Sequence, residues 1–506
     1  MNISNLKLFQ LFKNLSQKEE KEFRKFISSP LYTSGRNYIP IFEEIKKLIK
    51  SGSSDLPAQK LYEKLYPGKK YNAQTLKNRF SELYKLGEDF LIYQNILDNQ
   101  IERDKYLINI FLERGMTNFF ENKYRKTYDQ INNKKDEDYK FSNIYILRQI
   151  YGKFLEKEFK IEKFYANLYE NSIYSICLTL INLFEFGTEF IQQEYLNRKY
   201  EFNPVMGILK SIDFNSLIKN IDAKKFPILN VVKLHYNLYK AFENLEEEHY
   251  YFEAREIFKK IKHNFSDEYM LKTYMIFIYY CTRRQNAGIK KFYYELFKLY
   301  NEKLNSGFCS DFSQKIYPVN NFRDYVYIGI EIGQLEWVEN LIKKYSHLLP
   351  EENRENEINI SYARLNISMN KFDSAYEFLG KVKPTNYLHY SDCSVMKLIC
   401  QYELDLVEEA YSEVDRLKHF LSNHPEIPKI QKIYINNFLK IYSLLLKNLS
   451  KPDSLIYETA MNTFKQINLM SRKVWLLEKI NALNGNKKKA VHKQPFLKTS
   501  NQSRYI

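Results

Sequence analysis

The sequence predicts an all-α protein, and three observations lead to that fold class. Apolar residues recur at three- and four-residue spacing through most of the chain, which is the pattern of helices with one buried face. Only 14 glycines and 13 prolines occur among 506 residues, whereas all-β folds need many turns built from these residues. No Asn-Gly or Asp-Gly pair stands between runs of alternating apolar residues, as a hairpin turn would require. Long helices joined by short polar loops therefore fit the composition best.

The first helices begin and end at clear signals. Ser16 can cap a helix, and Glu19 completes a capping box with it ahead of an apolar face. A second helix is expected over residues 39–50, followed by a Ser-Gly pair that ends it. A third, short helix is expected up to Tyr66, with Pro57 in its first turn.

A long helix is expected next, from Tyr71 to about Asn99, and two interpretations of it compete. Its first two turns and the turn before them carry side chains that bind phosphates and bases. A helix-turn-helix protein uses such residues at the N-terminus of its recognition helix. The candidate nucleic-acid contacts are Lys69, Lys70, Gln74, Lys77, Asn78 and Arg79.

Projection of this helix at about 100° per residue favours packing instead. One stripe is apolar and has heptad-like spacing, and the glycine within it allows a close helical neighbour. The stripe contains Leu76, Phe80, Leu83, Gly87, Phe90 and Leu97. Acids on or beside the opposite face would repel phosphates, and they are Glu82, Glu88 and Asp89. The nucleic-acid hypothesis is therefore confined to residues 72–79, and the rest of the helix is expected to be structural.

Several segments in the second half of the chain share one pattern, in which a small or apolar residue is followed by further apolar residues about one turn apart. The shared position is occupied by Val338, Ala375 and Ala410, which are 37 and 35 residues apart. Ala363 lies 12 residues before Ala375, at the matching position of the preceding helix, and Ala254 has the same role in a fourth segment.

This pattern resembles the tetratricopeptide repeat, a helical hairpin of about 34 residues. The resemblance covers roughly residues 234–421. It departs from the family where the Trp and Gly of the first repeat helix are missing, where Pro384 comes early, and where 84 residues separate Ala254 from Val338. The resemblance implies an α-solenoid of stacked hairpins, in which the five shared positions pack paired helices closely. It also implies a groove that binds a protein or peptide, and it does not imply catalysis.

These patterns predict three regions. Residues 1–125 form a helical N-terminal domain with a possible helix-turn-helix-like bundle, and residues 126–483 form the helical repeat region. Residues 484–506 form a basic, disordered tail with six basic side chains and no acid. Such a tail serves solubility, or it binds nucleic acid or an acidic partner.

Motifs for catalysis, cofactors and metals are absent from the sequence. It contains no phosphate-binding glycine loop, no nucleophile elbow and no HExxH, and its five cysteines form no CxxC pair. No carboxylate is expected in an apolar pocket that would shift its pKa. The longest apolar runs, of 9 and 8 residues, are too short to span a bilayer, and no signal-peptide pattern is present. We expect a cytoplasmic protein without cofactor, metal or membrane segment.

Three functions fit these expectations, in decreasing order. The first is a non-enzymatic scaffold whose helical repeats bind a protein or peptide partner. The second is a transcriptional regulator with DNA-binding N-terminal helices and a partner-sensing repeat domain, a layout that resembles bacterial activators joining a helix-turn-helix to tetratricopeptide repeats. The third is an all-α enzyme with catalytic residues that converge from distant positions. The sequence leaves the partner and the oligomeric state open.

Overall fold

The computed structural model describes residues 5–53, 55–133, 137–195, 203–219, 221–307, 319–384, 387–451, 454–467 and 469–489. Within these stretches it confirms the all-α fold class, with 25 α-helices, two short 3₁₀ segments and no β-strand. The chain forms two compact units, one of residues 1–134 and 139–175 and one of residues 135–138 and 176–506. The boundary predicted after residue 125 lies within a helix, Thr117–Asn133.

Six helices open the first unit: α1 (Lys7–Lys13), α2 (Gln17–Ser28), α3 (Pro30–Thr33), α4 (Ile39–Ser51), α5 (Ala58–Leu65) and α6 (Ala73–Asp98). Helix α6 packs on α1, α2 and α5, and α4 packs on the same three helices. Their apolar faces enclose one core, in which the rings of Phe12, Phe23, Phe42 and Phe90 pack at centroid distances of 5.1 to 5.3 Å. The early helices therefore form one bundle around a shared aromatic core.

Local signals set the ends of these helices. The Ser16 hydroxyl accepts a hydrogen bond from the Glu19 amide at 3.2 Å, and the Ser16 amide donates to Glu19 Oε2 at 2.7 Å, so the predicted capping box is confirmed. Helix α4 ends at Gly52, whose φ of 69° lies in the left-handed region that glycine adopts without strain. The expectation for Pro57 is wrong by one position, because this proline precedes α5 and does not lie within its first turn.

The packing stripe predicted for α6 is present over most of its length. Leu76, Phe80, Leu83, Gly87 and Phe90 are buried. A Cβ atom at Gly87 would lie 3.2 Å from both methyl carbons of Leu11 on α1, so the glycine does allow a close neighbour. The stripe ends earlier than predicted, since Leu97 is exposed. The apolar core of the opening bundle includes Phe90 of α6 but not Leu97, and beyond Phe90 the helix contacts α2 through Tyr93 and Gln94 instead.

Four longer helices follow: α7 (Gln100–Glu113), α8 (Thr117–Asn133), α9 (Glu137–Lys157) and α10 (Ile161–Tyr195). Helices α7 and α8 pack as a hairpin, joined by a turn in which Gly115 has a φ of 67°. Stacked rings join α8 to α9, with Phe120 and Phe154 at 4.3 Å and Tyr124 and Tyr151 at 4.5 Å between centroids. These contacts extend the first unit beyond the opening bundle.

The second unit contains α10 from residue 176 onward and all of the remaining helices. They are α11 (Pro204–Ser211), α12 (Phe214–Ile218), α13 (Ile228–Glu243), α14 (His249–Ile261), α15 (Asp267–Asn286), α16 (Lys291–Asn305), α17 (Val319–Glu331), α18 (Leu335–Tyr345), α19 (Glu351–Ser368), α20 (Phe372–Lys381), α21 (Tyr387–Glu403), α22 (Val407–Asn423), α23 (Lys429–Ser450), α24 (Ser454–Gln466) and α25 (Lys473–Lys489). The 3₁₀ segments are Lys262–Asn264 and Ser346–Leu348. Helix α25 includes the first six residues of the predicted tail, and residues 490–506 lie outside the described part.

Helices of the second unit pack in sequential pairs. The pairs are α13 with α14, α15 with α16, α17 with α18, α19 with α20, and α21 with α22. Neighbouring pairs also meet: α19 contacts both α17 and α18, and α21 contacts both α19 and α20. The same relation links α23 to α21 and α22, and α25 to α23 and α24. The first helices of consecutive pairs therefore lie side by side from α17 to α25.

Candidate functional site

The five positions predicted to pack repeat helices are completely buried: Ala254, Val338, Ala363, Ala375 and Ala410. They lie in α14, α18, α19, α20 and α22. Ala363 and Ala375 belong to one apolar cluster formed by the paired helices α19 and α20 together with α21. A side chain as small as alanine at these places leaves room for the backbone of a paired helix.

The pairing of α17 with α18 shows how close two such helices come. A Cβ atom built on buried Gly329 would lie 2.4 Å from Val338 Cγ2 and 3.1 Å from Trp337 Cε3. Trp337 is held in place, because its indole N–H donates to Asn301 Oδ1 at 2.7 Å. Close packing on α18 therefore fixes the position of α17, which is also the neighbour of α19.

A charged trio, of which Glu357 and His389 are buried and Arg323 is partly exposed, joins the adjacent helices α17, α19 and α21. Arg323 of α17 donates to both carboxylate oxygens of Glu357 on α19, with Nε 2.7 Å from Oε2. His389 of α21 contacts Arg323, and its Nε2 lies 2.9 Å from Glu357 Oε1. Burial alone would raise the pKa of Glu357, but the hydrogen bonds from His389 and Arg323 hold it below its usual value. The trio fixes the relative position of the three helices.

A second group of charges follows the same helices and reaches solvent. We call it the charged row: Asp324 on α17, Arg364 on α19, Asp392 on α21, and Arg472 in the turn before α25. Arg364 Nη2 donates to Asp392 Oδ2, and Arg472 Nη2 lies 3.9 Å from Asp392 Oδ1. Two guanidinium groups thus share one carboxylate. The backbone of Arg472 has a φ of 52°, a left-handed conformation that is uncommon for a residue with a Cβ atom.

Protein surrounds the charged row although water reaches it. Asp324 is exposed, yet desolvation by the surrounding protein raises its pKa to about 6. The side chain of Arg364 is 21% exposed, and desolvation, followed by repulsion from Arg472 and Arg323, lowers its pKa to about 10. The expectation from the sequence is that no carboxylate lies in an apolar pocket that would shift its pKa. Desolvation does raise the pKa of Asp324, although this side chain is exposed.

Spare hydrogen-bonding capacity remains along the charged row. Asp324 has no hydrogen-bond or ion-pair partner among the residues that the structure describes. The Nε of Arg364 is buried and lacks an acceptor in the same part of the chain. The carboxylate of Asp324 and the guanidinium of Arg472 are exposed, so these are the acceptor and the donor that a polar partner would reach, whereas the Nε of Arg364 is not accessible.

The sequence pattern did not indicate the charged row, because its members come from four separate segments. The sequence does contain one indication of it. The first helices of consecutive pairs carry several charged residues at positions that the repeat pattern does not require to be charged: Arg323, Glu357, Arg364 and Asp392. Arg472 lies outside the region that resembles the repeat, so no spacing rule pointed to it.

The predicted nucleic-acid residues divide into two groups. Lys69, Lys70, Gln74, Lys77 and Asn78 are exposed at the start of α6 and in the turn before it. Within the described chain, none of these three lysines has a carboxylate at ion-pair distance. The Gln74 amide donates to Asn78 Oδ1 at 2.9 Å, which holds the two polar side chains together one helical turn apart.

Arg79 is engaged inside the first unit. Its Nε donates to the Tyr66 hydroxyl at 2.5 Å, and its Nη1 donates to Glu82 Oε2 at 2.6 Å. Glu82 also accepts hydrogen bonds from Tyr38 at 2.6 Å and from Arg36 at 2.9 Å. Burial works against the charged form, but these hydrogen bonds raise the pKa of Arg79 above its usual value. Arg79 therefore joins α6 to the preceding turn, while the three lysines point to solvent.

The described part of the chain contains neither a recognisable metal site nor a membrane-spanning helix. No group of three or more His, Cys, Asp or Glu side chains there is arranged to hold a metal ion. No helix in the same stretches combines the length and the apolar character needed to cross a membrane.

Comparison of the chain with models of protein families, with curated proteins and with solved structures found no match.

Proposed function

We propose that the chain is a non-enzymatic scaffold that binds a protein or peptide partner on the surface formed by α17, α19 and α21. The charged row carries this proposal, because it places an exposed carboxylate without a partner in the described chain, that of Asp324, beside the partly exposed guanidinium groups of Arg364 and Arg472. A polypeptide offers both kinds of group, since each of its residues carries an N–H donor and a C=O acceptor. The packing of helices in sequential pairs supports an α-solenoid, the architecture in which such surfaces are built.

The scaffold is tested by capture of a partner through the charged row. A photo-crosslinker near Asp324 in the full chain would trap a polypeptide partner from cells. We expect Asp324→Lys and Arg472→Glu together to abolish the crosslinked product. The matched control is Glu339→Lys, which makes the same acid-to-lysine change in an exposed ion pair on α18.

Two results would count against the scaffold. The first is the absence of any crosslinked polypeptide under several growth conditions. The second is a product that the charged-row variant retains as fully as the Glu339→Lys control does. Far-UV circular dichroism of each variant shows that a lost product reflects the changed surface and not an unfolded chain.

A second candidate function rests on the start of α6. There, Lys69, Lys70 and Lys77 are exposed and unpaired with carboxylates in the described chain, and the first turn of α6 contains no acid. A transcriptional regulator would use this surface on DNA phosphates, and its binding would weaken steeply with salt. The logarithm of the DNA association constant should fall linearly with the logarithm of the salt concentration. Replacing the three lysines by alanine should make this line less steep by about 0.9 for each lost phosphate contact. No mobility shift of duplex DNA at low salt would rule this function out.

A further inference from the structure

The hairpin of α7 and α8 is covered on one side only. The covered side of α8 carries Phe120 and Tyr124, which stack on Phe154 and Tyr151 of α9. The other side of the hairpin is open to solvent. It carries an exposed phenylalanine, Phe119, whose ring centroid is 5.6 Å from that of Phe111 on α7.

A groove of about 410 Å³ runs along this open side between the two helices. It is lined by Leu107 and Phe111 of α7 and by Asn118, Phe119, Asn122, Lys123 and Lys126 of α8. Tyr106 and Ile110 are also exposed on α7, so the apolar surface continues beyond the groove itself. A continuous exposed apolar patch with a polar border marks an interaction surface more often than a chance arrangement.

The border of the groove is basic. Lys123 Nζ lies 2.5 Å from the buried carboxylate of Asp104, which holds this lysine at the groove. Lys126 is exposed. On α7, the exposed Arg103 lies one turn before Leu107 and about 40° from it around the helix, and the exposed Arg114 directly follows the last residue of α7. These three side chains have no carboxylate at ion-pair distance among the described residues.

The acids near the groove are few. The carboxylate of Asp104 is buried behind Lys123, and the groove lining itself contains no other acid. Asp129 of α8 is exposed two turns beyond Asn122 and about 20° from it around the helix, so one acid lies at that end of the groove lining. The unpaired basic side chains of Lys126, Arg103 and Arg114 outnumber this acid, so the net charge near the groove is positive.

We propose that the groove between α7 and α8 binds an acidic amphipathic helix of a partner protein. Leu107 and Phe111, one turn apart, together with Phe119 form the apolar floor against which the apolar face of such a helix packs, as in helix-in-groove recognition. The acidic residues of the partner helix then lie over Lys126, Arg103 and Arg114. From Asn118 to Lys126 the lining extends over about 12 Å of α8, which matches about two turns of the bound helix.

This surface is independent of the proposed scaffold surface. Its lining residues belong to the first unit, whereas the charged row belongs to the second. Loss of either binding activity therefore says nothing about the other.

Fluorescence anisotropy with the full chain tests the proposal. The probes are three fluorescein-labelled 18-residue peptides with one shared Leu/Phe helical face and a polar face of Glu, Gln or Lys. We expect the Glu peptide to bind at least about tenfold more tightly than the Lys peptide, a difference of about 1.4 kcal/mol. Arg103→Glu with Lys126→Glu should reverse that order, and Phe119→Ser should weaken binding of all three peptides.

A matched control comes from α9, where Lys153 is exposed in the same unit and away from the groove. Lys153→Glu should leave the affinity for the Glu peptide unchanged. Equal binding of the three peptides by the unmodified chain, or no binding of the Glu peptide at all, would overturn the proposal. So would an equal loss in the Lys153→Glu variant, because binding would then depend on net charge and not on the groove. Circular dichroism of Phe119→Ser confirms that the exposed substitution leaves the fold intact.

Discussion

Gly329 offers the sharpest test of how the helices of the second unit pack. The change Gly329→Ala adds one methyl group on α17, where it faces α18. In an unconstrained helix this substitution stabilises by about 1 kcal/mol, because alanine has less backbone freedom to lose than glycine. Here the added carbon would lie 2.4 Å from Val338 Cγ2, well inside contact distance.

The structure decides which of these two effects is larger. Val338 is completely buried and β-branched, so it has few alternative rotamers. Trp337 is fixed by its hydrogen bond to Asn301. Neither neighbour can move aside easily, and overpacking of a tight core costs about 1–3 kcal/mol. We take about 3 kcal/mol for the overpacking and subtract the gain of about 1 kcal/mol from replacing glycine by alanine in a helix. We therefore expect Gly329→Ala to destabilise the second unit by about 2 kcal/mol.

Urea unfolding followed by tryptophan fluorescence measures this loss. Both tryptophans of the chain, Trp337 and Trp475, belong to the second unit, so the signal reports on that unit. Gly380→Ala is the control, since a Cβ atom on this glycine of α20 would meet no atom within 4 Å. It should leave stability unchanged or raise it by up to about 1 kcal/mol.

A double variant isolates the contact itself. Adding Val338→Ala removes the methyl carbon that the new Cβ would meet, so Gly329→Ala should be less harmful in that background, with a coupling of about 0.5–3 kcal/mol. A Gly329→Ala variant as stable as the unmodified chain, or one with no coupling to position 338, would refute the reasoning.

Three further predictions concern single groups. Glu357→Gln should lower the stability of the second unit by about 3 kcal/mol at pH 7, since Arg323 loses its carboxylate. Because the pKa of Glu357 is lower in the folded chain than the unfolded value of 4.5, its contribution to stability is present above pH 4.5 and is lost on acidification. Between pH 6 and pH 3, the urea midpoint of the variant should therefore fall less than that of the unmodified chain. Burial lowers the pKa of His235 to about 4, so the stability of the second unit should fall by up to about 3 kcal/mol as the pH drops from 6.5 toward 4. His235→Gln should remove this fall from a plot of the urea midpoint against pH. Ser16→Ala should destabilise the first unit by about 1 kcal/mol, because it removes one of the two hydrogen bonds of the capping box with Glu19. An unchanged midpoint of thermal unfolding would contradict the capping role of Ser16.

Features that depend on neighbours in sequence were predictable. The capping box at Ser16 and the stripe from Leu76 to Phe90 are properties of a single helix, and both follow from spacing alone. The end of the stripe did not follow, because the exposure of Leu97 depends on tertiary packing and not on spacing within α6. Helix type and buried face are thus local properties, while the extent of burial is not.

Electrostatic features were less predictable for the same reason. The pKa of Asp324 depends on protein that surrounds it and on Arg323 and Arg364 nearby, and these come together only after α17 and α19 have packed. Arg472 is 80 residues from Asp392 in sequence, so no helical period relates them. A shift in pKa at the charged row is a consequence of tertiary structure, which a linear pattern does not contain.

Helices α17 and α19 each carry one close-packing residue and one member of the charged row, and this links stability to recognition. On α17, Gly329 and Asp324 are five residues apart, which places them about 140° apart around the helix. One side of α17 therefore packs tightly on α18 while another carries the exposed Asp324. On α19, the neighbours Ala363 and Arg364 divide the same two tasks. A methyl group added on the packing side would push α17 outward and shift Asp324 with it, although no atom of the charged row had been changed. Small residues at the helix crossings thus determine where the charges of the proposed binding surface lie, and a substitution at a crossing should alter binding before it unfolds the unit.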